Sequence, residues 1–492
     1  MRLVKIFQAR DIGDVVFLLS LVLFLLRAAL LAFTLNPSVP PDEESHLGVS
    51  KVYAKTLGLP TNDAESYRFG PVTRQPYLYY WTSARVLNLV PAGGGELTAL
   101  RLANVACGAL LVVVGWAWIK QLTSNLVVRS LFIIMLTNTP MLTFLSATVT
   151  YDNMTNLLAA LAFSWLYAYW RSPGPISLGW FGCCLCAASL TKVTALPLVL
   201  ILGAALLLHE AGRLRGLWES LRGLVWPPRT SHLALTLLLL LLVGLNVELY
   251  GGNLVRYGRP VPKTLQVLTL EQAMRHRIFA RNHIVASFLD GDLSFDQAQR
   301  AAASIPHLGD RRDTEGLLKQ ARPFREGSAQ PRSPFAHLPG WCFLMAERLF
   351  GVLGHQILFK DPWHTRIGMG VVGLGLAMLL LPLPIRTWQP DDAPGRLRLM
   401  FISVAIALGY ASVLFWVNYT IYARYGSIHL SVQGRYLFPV ALAILGPVAW
   451  GLIVYLPRVG QWLMAVLVGL FFILSDTPYL LFRGFDAGFF GP

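Results

Sequence analysis

Charged residues are scarce in this chain. They make up 14% of its 492 residues, whereas hydrophobic residues make up 55%. Soluble domains carry about 25% charged residues, so the balance here is far from theirs. The composition therefore excludes an ordinary soluble protein and predicts an integral membrane protein.

Cysteine is also rare, and its spacing fits no metal site. Three of the five cysteines, Cys183, Cys184 and Cys186, are crowded into one apolar stretch, and we assign them to packing. The net charge of +15 is accompanied by no nucleic-acid-binding motif. Basic loops that face anionic lipid account for part of that charge, so we expect membrane lipid and no nucleic acid as a partner.

Long apolar runs extend through nearly the whole chain. A helix needs about 20 residues to cross about 30 Å of hydrocarbon. We predict an all-α integral membrane protein in which residues 1–492 form a single polytopic domain with about 11 transmembrane helices. These spans lie near 15–35, 98–118, 130–148, 154–170, 176–190, 193–208, 232–249, 366–384, 399–418, 436–456 and 461–480.

Basic residues set the predicted orientation. Arg2, Lys5 and Arg10 precede the first span, and the later loops on that side also carry an excess of Lys and Arg. The positive-inside rule then places the N-terminus in the cytoplasm and two long segments, 36–97 and 250–365, outside. The first span lacks a small-residue cleavage site after it, so we expect a retained anchor.

Interfacial helices are expected in these two outer segments. The apolar run from Trp341 to Gln356 carries Glu347 and Arg348 in its middle, which favours a helix lying at the interface over a further span. The rest of segment 250–365 is polar between Asp290 and Ser333 and predicts helices and loops over the outer face, as in a lid.

An acidic motif, Pro40-Pro41-Asp42-Glu43-Glu44-Ser45-His46, directly follows the first span. We predict a helix starting at Pro41. Asp42 and Glu43 either complement the dipole of this helix or provide a catalytic carboxylate that accepts a proton from an incoming hydroxyl. His46 shares the helical face of Asp42. We assign no cofactor, and a divalent cation held by this pair is left open.

Other polar residues lie on the same predicted side of the membrane. Asp152 and Asn153 occupy the turn between the third and fourth spans, where Asp152 either caps the next helix or meets Asp42 to bind a cation or a sugar hydroxyl. Lys192 lies at an outer turn, where it either extends its amine to the interface or binds a lipid phosphate.

The motif Gln433-Gly434-Arg435-Tyr436 opens the tenth span from the outside. The planar fork of Arg435 suits two phosphate oxygens, and Gly434 allows a close backbone approach. The alternative is an arginine that reaches the interface beside an aromatic belt. Arg256 and Lys263 are weaker phosphate candidates.

Several motifs occur together in one order along the chain. They are Pro40-Pro41-Asp42-Glu43 with His46, Gln75-Pro76 with Tyr79-Tyr80, Tyr151-Asp152, Lys192 with Pro197, Tyr257-Gly258 with Pro260, and Gln433-Gly434-Arg435-Tyr436 with Pro439. On these motifs the chain resembles the bacterial membrane-protein family filed as domain of unknown function 2142, which in turn resembles the GT-C superfamily of polytopic glycosyltransferases. It departs from the family at Arg74-Gln75-Pro76-Tyr77, where two consecutive prolines are expected, and 265–340 carries no family motif.

The resemblance implies a GT-C-like enzyme of the bacterial cytoplasmic (inner) membrane. Such an enzyme transfers a sugar from a polyprenyl-phosphate carrier to a glycan, lipid or protein acceptor of the cell envelope, on the outer face. Asp42 would deprotonate the acceptor, Arg435 and Lys192 would stabilise the departing phosphate, and Glu43 or Asp152 would orient the acceptor or a cation. The further substrate-binding candidates are His46, Gln75, Tyr79, Asn153, Arg256, Lys263, Gln433 and Tyr436.

Two other classes of function stay open. A transporter or flippase for a lipid-linked or anionic substrate would also collect cations at the outer face. Arg27 favours this class, because it is charged and deep in the first span, and the sequence does not reveal its partner. An inactive binding or assembly subunit would share the architecture and tolerate loss of Asp42.

Overall fold

The chain folds almost entirely into helices. The computed structural model describes residues 11–91, 94–212, 214–226, 230–350, 352–353, 356–357, 363–380, 394–476, 478, 481, 483–484 and 488–490. Within these ranges the strands are limited to β1 (Val352–Leu353) and β2 (Gln356–Ile357), which pair antiparallel. The predicted all-α class is confirmed.

Twelve helices form the part of the chain before residue 260. They are α1 (Ile12–Thr34), α2 (Glu43–Ala54), α3 (Leu78–Leu87), α4 (Glu96–Leu122), α5 (Leu126–Thr137), α6 (Pro140–Ser146), α7 (Tyr151–Arg171), α8 (Pro175–Thr191), α9 (Ala195–Glu210), α10 (Leu214–Val225), α11 (Thr230–Asn246) and α12 (Gly252–Tyr257). A 3₁₀ turn covers Tyr67–Phe69, and a π turn at Val247–Gly251 joins α11 to α12.

The remaining chain adds ten helices. They are α13 (Thr264–Val267), α14 (Leu270–Met274), α15 (Arg277–Asp290), α16 (Phe295–Ala303), α17 (Leu308–Arg325), α18 (Pro334–Phe350), α19 (Trp363–Leu380), α20 (Pro394–Tyr425), α21 (Ala441–Val454) and α22 (Arg458–Ser475). A 3₁₀ helix, Gly434–Val440, leads directly into α21.

Seven helices of the described residues are long and apolar enough to cross a membrane, or up to nine if each of two bent pairs counts as one span. The chain is thus a multi-pass membrane protein, but the predicted count of 11 is not confirmed. The described part of each predicted span is mainly helical. The difference between 11 predicted spans and seven to nine candidate spans has local causes. The predicted fourth span, α7, begins with polar residues, among them Asp152 and Asn153, and the fifth, α8, has 17 residues and a length of about 26 Å.

Bent helices account for the third and sixth predicted spans. α5 and α6 meet at 57°, because Pro140 opens α6 and disfavours helical conformation at the residue before it. α9 and α10 meet at 118°. The predicted spans that end at 384 and 480 continue into residues outside the described ranges. Arg2, Lys5, Arg10 and the end of the run from Trp341 to Gln356 also lie outside these ranges. The described part of that run is helical and belongs to α18.

The core of the membrane domain surrounds α21, whose residues are nearly all buried. α21 packs against α5, α19 and α20, and α1 packs against α4 and α5. Gly375 of α19 and Gly451 of α21 meet at one crossing, where a Cβ at Gly451 would lie 2.0 Å from the Gly375 carbonyl oxygen. Small residues therefore set the spacing of these two helices, as is common in membranes.

Segments 36–97 and 250–365 each contain helices of their own. Segment 36–97 contains α2 and α3, which pack on each other. In segment 250–365, helices α15, α16 and α17 enclose a small core of their own around Phe288 and Leu318. The Asp290 carboxylate accepts two bonds from Arg424 of α20, at 2.8 and 3.0 Å, which holds this three-helix unit against the membrane domain.

Arg27 has a partner that the sequence did not reveal. Its Nη1 donates to Asp476 at 2.6 Å and to Asn138 at 2.7 Å, and its Nη2 donates to the Thr137 carbonyl at 2.8 Å. Asp476 also accepts a bond from Thr143 at 3.0 Å. The buried pair thus joins α1, the break between α5 and α6, and the end of α22.

We predict that Arg27→Met lowers the free energy of unfolding by about 3–5 kcal/mol, because it leaves the Asp476 charge buried without its cation. Unfolding of the purified protein in lipid nanodiscs measures this change. Arg215→Gln, which breaks the exposed pair with Glu219, is the matched control and should change stability little. The double variant Arg27→Met/Asp476→Leu should recover most of the lost stability. Unchanged stability of Arg27→Met alone would contradict a stabilising role of the Arg27–Asp476 pair.

Candidate functional site

Asp42 has an unusual backbone at the start of α2. Its φ of 63° and ψ of 8° lie in the left-handed region, which a non-glycine residue occupies at a cost of about 1–3 kcal/mol. The helix begins at Glu43, one residue after Asp42 and two after the predicted start. The Asp42 carbonyl accepts the His46 N–H at 2.9 Å, but the carboxylate does not cap the helix. The carboxylate instead contacts Arg435, which argues against a purely helix-stabilising role.

Glu43 points elsewhere and is fully enclosed. Its carboxylate accepts bonds from Arg101 Nε at 3.0 Å and Arg101 Nη2 at 2.5 Å, and from the Val149 N–H at 2.8 Å. Arg101 Nη1 also donates to the Ala32 and Leu35 carbonyls. The structure therefore places Glu43 in a buried ion pair and corrects its assignment as a catalytic alternative to Asp42. Glu43 ties α2 to the ends of α1 and α4 and so positions Asp42.

Four charged side chains from four parts of the chain meet in one ion-pair network. Arg435 Nη2 lies 3.3 Å from an Asp42 carboxylate oxygen, and Arg435 Nε lies 3.6 Å from an Asp152 oxygen. Lys192 Nζ donates to the other Asp152 oxygen. The expected meeting of these residues is present. We call this network the charged centre, and it contains two cations and two carboxylates.

The two cations of the charged centre are buried. The Arg435 and Lys192 side chains are 7% and 8% exposed, whereas the Asp42 side chain is 35% exposed. Lys192 Nζ lies 4.7 Å from the ring centres of both Tyr151 and Tyr436. Neither cation extends its charge into water, so the alternative in which they reach the interface does not describe them.

Two buried nitrogens of Arg435, Nη1 and Nε, make no hydrogen bond among the described residues, although Nε faces an Asp152 oxygen at 3.6 Å. Buried donors are nearly always satisfied in folded proteins, so such atoms indicate a site for a ligand. Arg435 Nη1 can therefore donate a charge-assisted hydrogen bond to an oxygen of an anion.

His46 lies in an aromatic and amide layer under the charged centre. Its Nδ1 lies 2.9 Å from the Tyr80 hydroxyl, and its ring contacts Tyr79 and Tyr151. Burial lowers the pKa of His46 to about 4, although the nearby carboxylates of Asp42 and Asp152 oppose this shift. The imidazole is therefore neutral at neutral pH and orients the tyrosines.

Tyr79 and Asn153 belong to the same layer. Asn104 donates to the Tyr79 hydroxyl at 3.0 Å, and Asn153 donates to the Asn104 side-chain oxygen at 2.9 Å. Asn153 also donates to the Leu145 carbonyl at 2.7 Å. Both residues support the charged centre from behind, and their predicted contact with substrate stays a prediction.

Gly434 has a packing role. A Cβ there would lie 2.5 Å from the backbone of Arg348 and Leu349 in α18. Arg348 in turn donates to the carbonyls of Val432 and His429. The close approach predicted for Gly434 is thus made by a helix of the protein, and α18 fixes the loop that carries Arg435. Gln433 begins the 3₁₀ helix, where its carbonyl accepts the Tyr436 N–H at 3.0 Å.

Two of the predicted phosphate ligands lie apart from the charged centre. Arg256 and Lys263 are exposed, and neither forms an ion pair within the part of the chain that the structure describes. Only the neighbour of Lys263, Thr264, reaches a cavity at the site. Their predicted contact with phosphate therefore stays a prediction.

Two cavities flank the charged centre. One, of about 340 Å³, lies beside Lys192 and contains the predicted residue Gln75 in its wall. The other, of about 320 Å³, is almost wholly apolar, and its lining includes Leu437 and Phe438, the second and third residues after Arg435. α18, α19, α20 and α21 form its walls.

Sequence reasoning assigned no role to Arg101, Tyr151 or His276. Arg101 carried a usable signal, because a charge inside an apolar span implies a buried partner. Tyr151 directly precedes Asp152 and is brought over Lys192 by the first turn of α7. His276 comes from the outer segment without motifs, and nothing local in the sequence marked it.

The donor set of the charged centre does not fit a divalent cation. Mg²⁺ and Ca²⁺ take six or more oxygen ligands, whereas Asp42 and Asp152 are already neutralised by Arg435 and Lys192. His46 is engaged by Tyr80, and across the described ranges no three His, Cys, Asp or Glu side chains are grouped to hold a metal. The described residues therefore offer no ligand set for the divalent cation that the sequence analysis left undecided.

No family model matches the chain, and no curated protein matches it. The family resemblance drawn from the motifs is therefore not confirmed. Solved structures similar to the chain include an oligosaccharyltransferase of Archaeoglobus fulgidus in complex with Zn and sulfate, with 12% identity and a TM-score of 0.41 over 96% of this chain and 53% of that one.

Two further structures are similar at the same level. AglB of Archaeoglobus fulgidus, with an inhibitory peptide and a dolichol-phosphate, has 12% identity and a TM-score of 0.39 over 96% of this chain and 56% of its own. ArnT of Cupriavidus metallidurans in the apo state has 15% identity and a TM-score of 0.35 over 92% and 77%. The chain spans about half the length of the two archaeal proteins, and no functional conclusion follows from likeness of this size.

We predict that Gly434→Ala destabilises the protein by about 1–3 kcal/mol, because the added methyl group meets backbone atoms that cannot move aside. Thermal unfolding in lipid nanodiscs measures the effect. Gly370→Ala is the matched control, since a Cβ there meets open space. Equal stability of the two variants would show that the contact with α18 is not tight.

Proposed function

We propose that the chain is a membrane glycosyltransferase of the GT-C type. It moves a sugar from a polyprenyl-phosphate carrier to a cell-envelope acceptor on the outer face of the bacterial cytoplasmic membrane. The observation that carries this proposal is the buried guanidinium of Arg435, which pairs with the partly exposed carboxylate of Asp42 and keeps one donor, Nη1, without a hydrogen bond to the described residues. The motif resemblance supports the same chemistry.

The donor's two ends are matched by two features of the site. A lipid phosphate needs a cation that stays in place without water, and Arg435 and Lys192 are buried and held by Asp152. The attached polyprenyl chain needs an apolar path, and the lining of the cavity of about 320 Å³ includes Leu437 and Phe438, the second and third residues after Arg435. The phosphate would accept a hydrogen bond from Nη1 of Arg435, with its chain leaving along α18 to α21.

The transfer step uses Asp42 as the base. Asp42 accepts the proton of the acceptor hydroxyl, whose oxygen bonds to the anomeric carbon while the bond from that carbon to the phosphate oxygen breaks. The electron pair leaves with the phosphate, where Arg435 and Lys192 stabilise the added charge. Attack opposite to the leaving group inverts the anomeric configuration. Asp152 orients both cations, and Glu43 with Arg101 positions Asp42.

A transporter or flippase is the alternative with an observation in its favour. The break between α5 and α6 lies next to the buried Arg27–Asp476 pair, and broken helices beside charges are typical of transporters. Arg27 is, however, bonded to three protein groups at that break. Movement of a lipid-linked sugar across vesicles without any new glycosidic bond would favour this alternative.

We expect Asp42→Asn to lower turnover by about 10²–10⁴-fold, because the amide preserves shape but does not accept a proton. Transfer of radiolabelled sugar from polyprenyl phosphates to envelope glycan, lipid and protein acceptors measures turnover. Donor binding should be retained. Asp63→Asn, in the same outer segment, is the control for a change of charge. Normal turnover of Asp42→Asn would show that Asp42 is not the base. Absence of transfer by the wild-type protein would favour the alternative of an inactive binding or assembly subunit.

We expect Arg435→Lys to lose turnover more than donor affinity. Lysine keeps the charge but not the fork, and the fork contributes most as the leaving phosphate gains charge. Equilibrium binding of the polyprenyl-phosphate sugar and single-turnover transfer separate the two effects. Arg300→Lys, at an exposed site of α16, should leave both unchanged. Wild-type values for Arg435→Lys would mean that the motif from Gln433 to Tyr436 only anchors the helix.

A further inference from the structure

The cavity beside Lys192 lies where three parts of the chain meet. The first outer segment provides Phe69, Gln75 and Tyr80, the ends of α7 and α8 provide Tyr151 and Lys192, and the second outer segment provides His276. His276 lies over Gly70, with its Nδ1 3.4 Å from where a Cβ of that glycine would be. The cavity is thus lined on one side by His276, from the stretch 265–340 in which the sequence marked no functional residue.

The walls of this cavity combine aromatic surface with neutral hydrogen-bonding groups. Phe69, Tyr80 and Tyr151 provide aromatic surface, and Phe69 is held in place by its packing over Gly48. Gln75 and His276 add hydrogen-bonding groups between the rings. A sugar ring has an apolar face of C–H groups and a rim of hydroxyls, so it matches a wall that alternates aromatic faces with neutral donors and acceptors.

The cavity is close to neutral. No carboxylate belongs to its walls among the described residues, and its lysine, Lys192, is already paired with Asp152. Burial lowers the pKa of His276, although Asp42 opposes the shift, so the imidazole carries no charge at neutral pH. An amino sugar would lack a carboxylate partner here, and an acidic sugar would lack an unpaired cation.

We propose that this cavity, of about 340 Å³, is a subsite for a neutral saccharide ring that Gln75 and His276 select by hydrogen bonds. The inference rests on the proposed function and identifies the substrate class of the same site. The ring belongs either to the sugar of the lipid-linked donor or to a saccharide acceptor. Both sources share the chemistry that the walls recognise.

Saturation-transfer NMR on the full chain in lipid nanodiscs tests the subsite directly. The probes are methyl glucoside, methyl galactoside, glucosamine, glucuronate and a Ser/Thr-containing tetrapeptide. We expect binding of a neutral hexoside in preference to the charged sugars and the peptide. Equal or stronger binding of the charged sugars or the peptide, or no binding of either hexoside, would overturn the subsite.

Two variants locate the binding. Gln75→Met and His276→Phe keep the approximate size of the side chain and remove its hydrogen bonds, so each should weaken hexoside binding by about tenfold. His283→Phe is the control, because this histidine stacks on Phe279 in α15 and does not belong to the cavity wall. Wild-type hexoside binding in both cavity variants would refute the assignment. If a variant unfolds, the preference of the wild-type protein among the probes still decides.

Competition assigns the source of the ring. A polyprenyl-phosphate hexose that displaces the soluble hexoside identifies the donor's sugar, whereas undisturbed hexoside binding identifies the acceptor. Either result supports the subsite. Hexoside binding without any sugar transfer would reject the proposed function and keep the subsite. Transfer without hexoside binding in the cavity would reject the subsite alone.

Discussion

The burial of Arg435 is the constraint on which the rest of the site depends. A guanidinium enclosed by a membrane protein is costly unless carboxylates compensate it, and removal of one partner leaves an uncompensated charge. Asp42 and Asp152 provide that compensation, and Lys192 shares Asp152 with it. The start of α2, the start of α7, the end of α8 and the 3₁₀ helix before α21 must therefore converge. The outer ends of these elements are held together by charge as well as by apolar packing.

Two sets of contacts hold Asp42 and Arg435 in position. On one side, Glu43 and Arg101 fix the first turn of α2 to the ends of α1 and α4, which holds Asp42 in its strained conformation. On the other side, the backbone of α18 packs against Gly434 and holds the loop before Arg435. A base and a cation that must keep a fixed separation are thus supported by independent contacts. Such support is what a preorganised site requires.

The sequence predicted the helical class and assigned Asp42, Asp152, Lys192 and Arg435 to one side of the membrane, because apolar spans alternate with basic loops. It did not predict which charges pair, since pairing depends on the lateral order of helices and on side-chain direction. Glu43 thus resembled a second base and proved to be the partner of Arg101. Arg27 resembled a transport residue for the same reason, because Asp476 lies 449 positions away.

Under the proposed function, the charged centre also explains the order of events. Arg435 contacts the Asp42 carboxylate at 3.3 Å and favours its ionised form. A donor phosphate bound at Nη1 would bring negative charge that Arg435 must share. The hold on Asp42 then weakens, and the carboxylate accepts a proton more readily once the donor is in place. Because Asp42 is the most exposed member of the centre, it is also the one that an incoming hydroxyl reaches first. The same arginine therefore couples donor binding to activation of the acceptor.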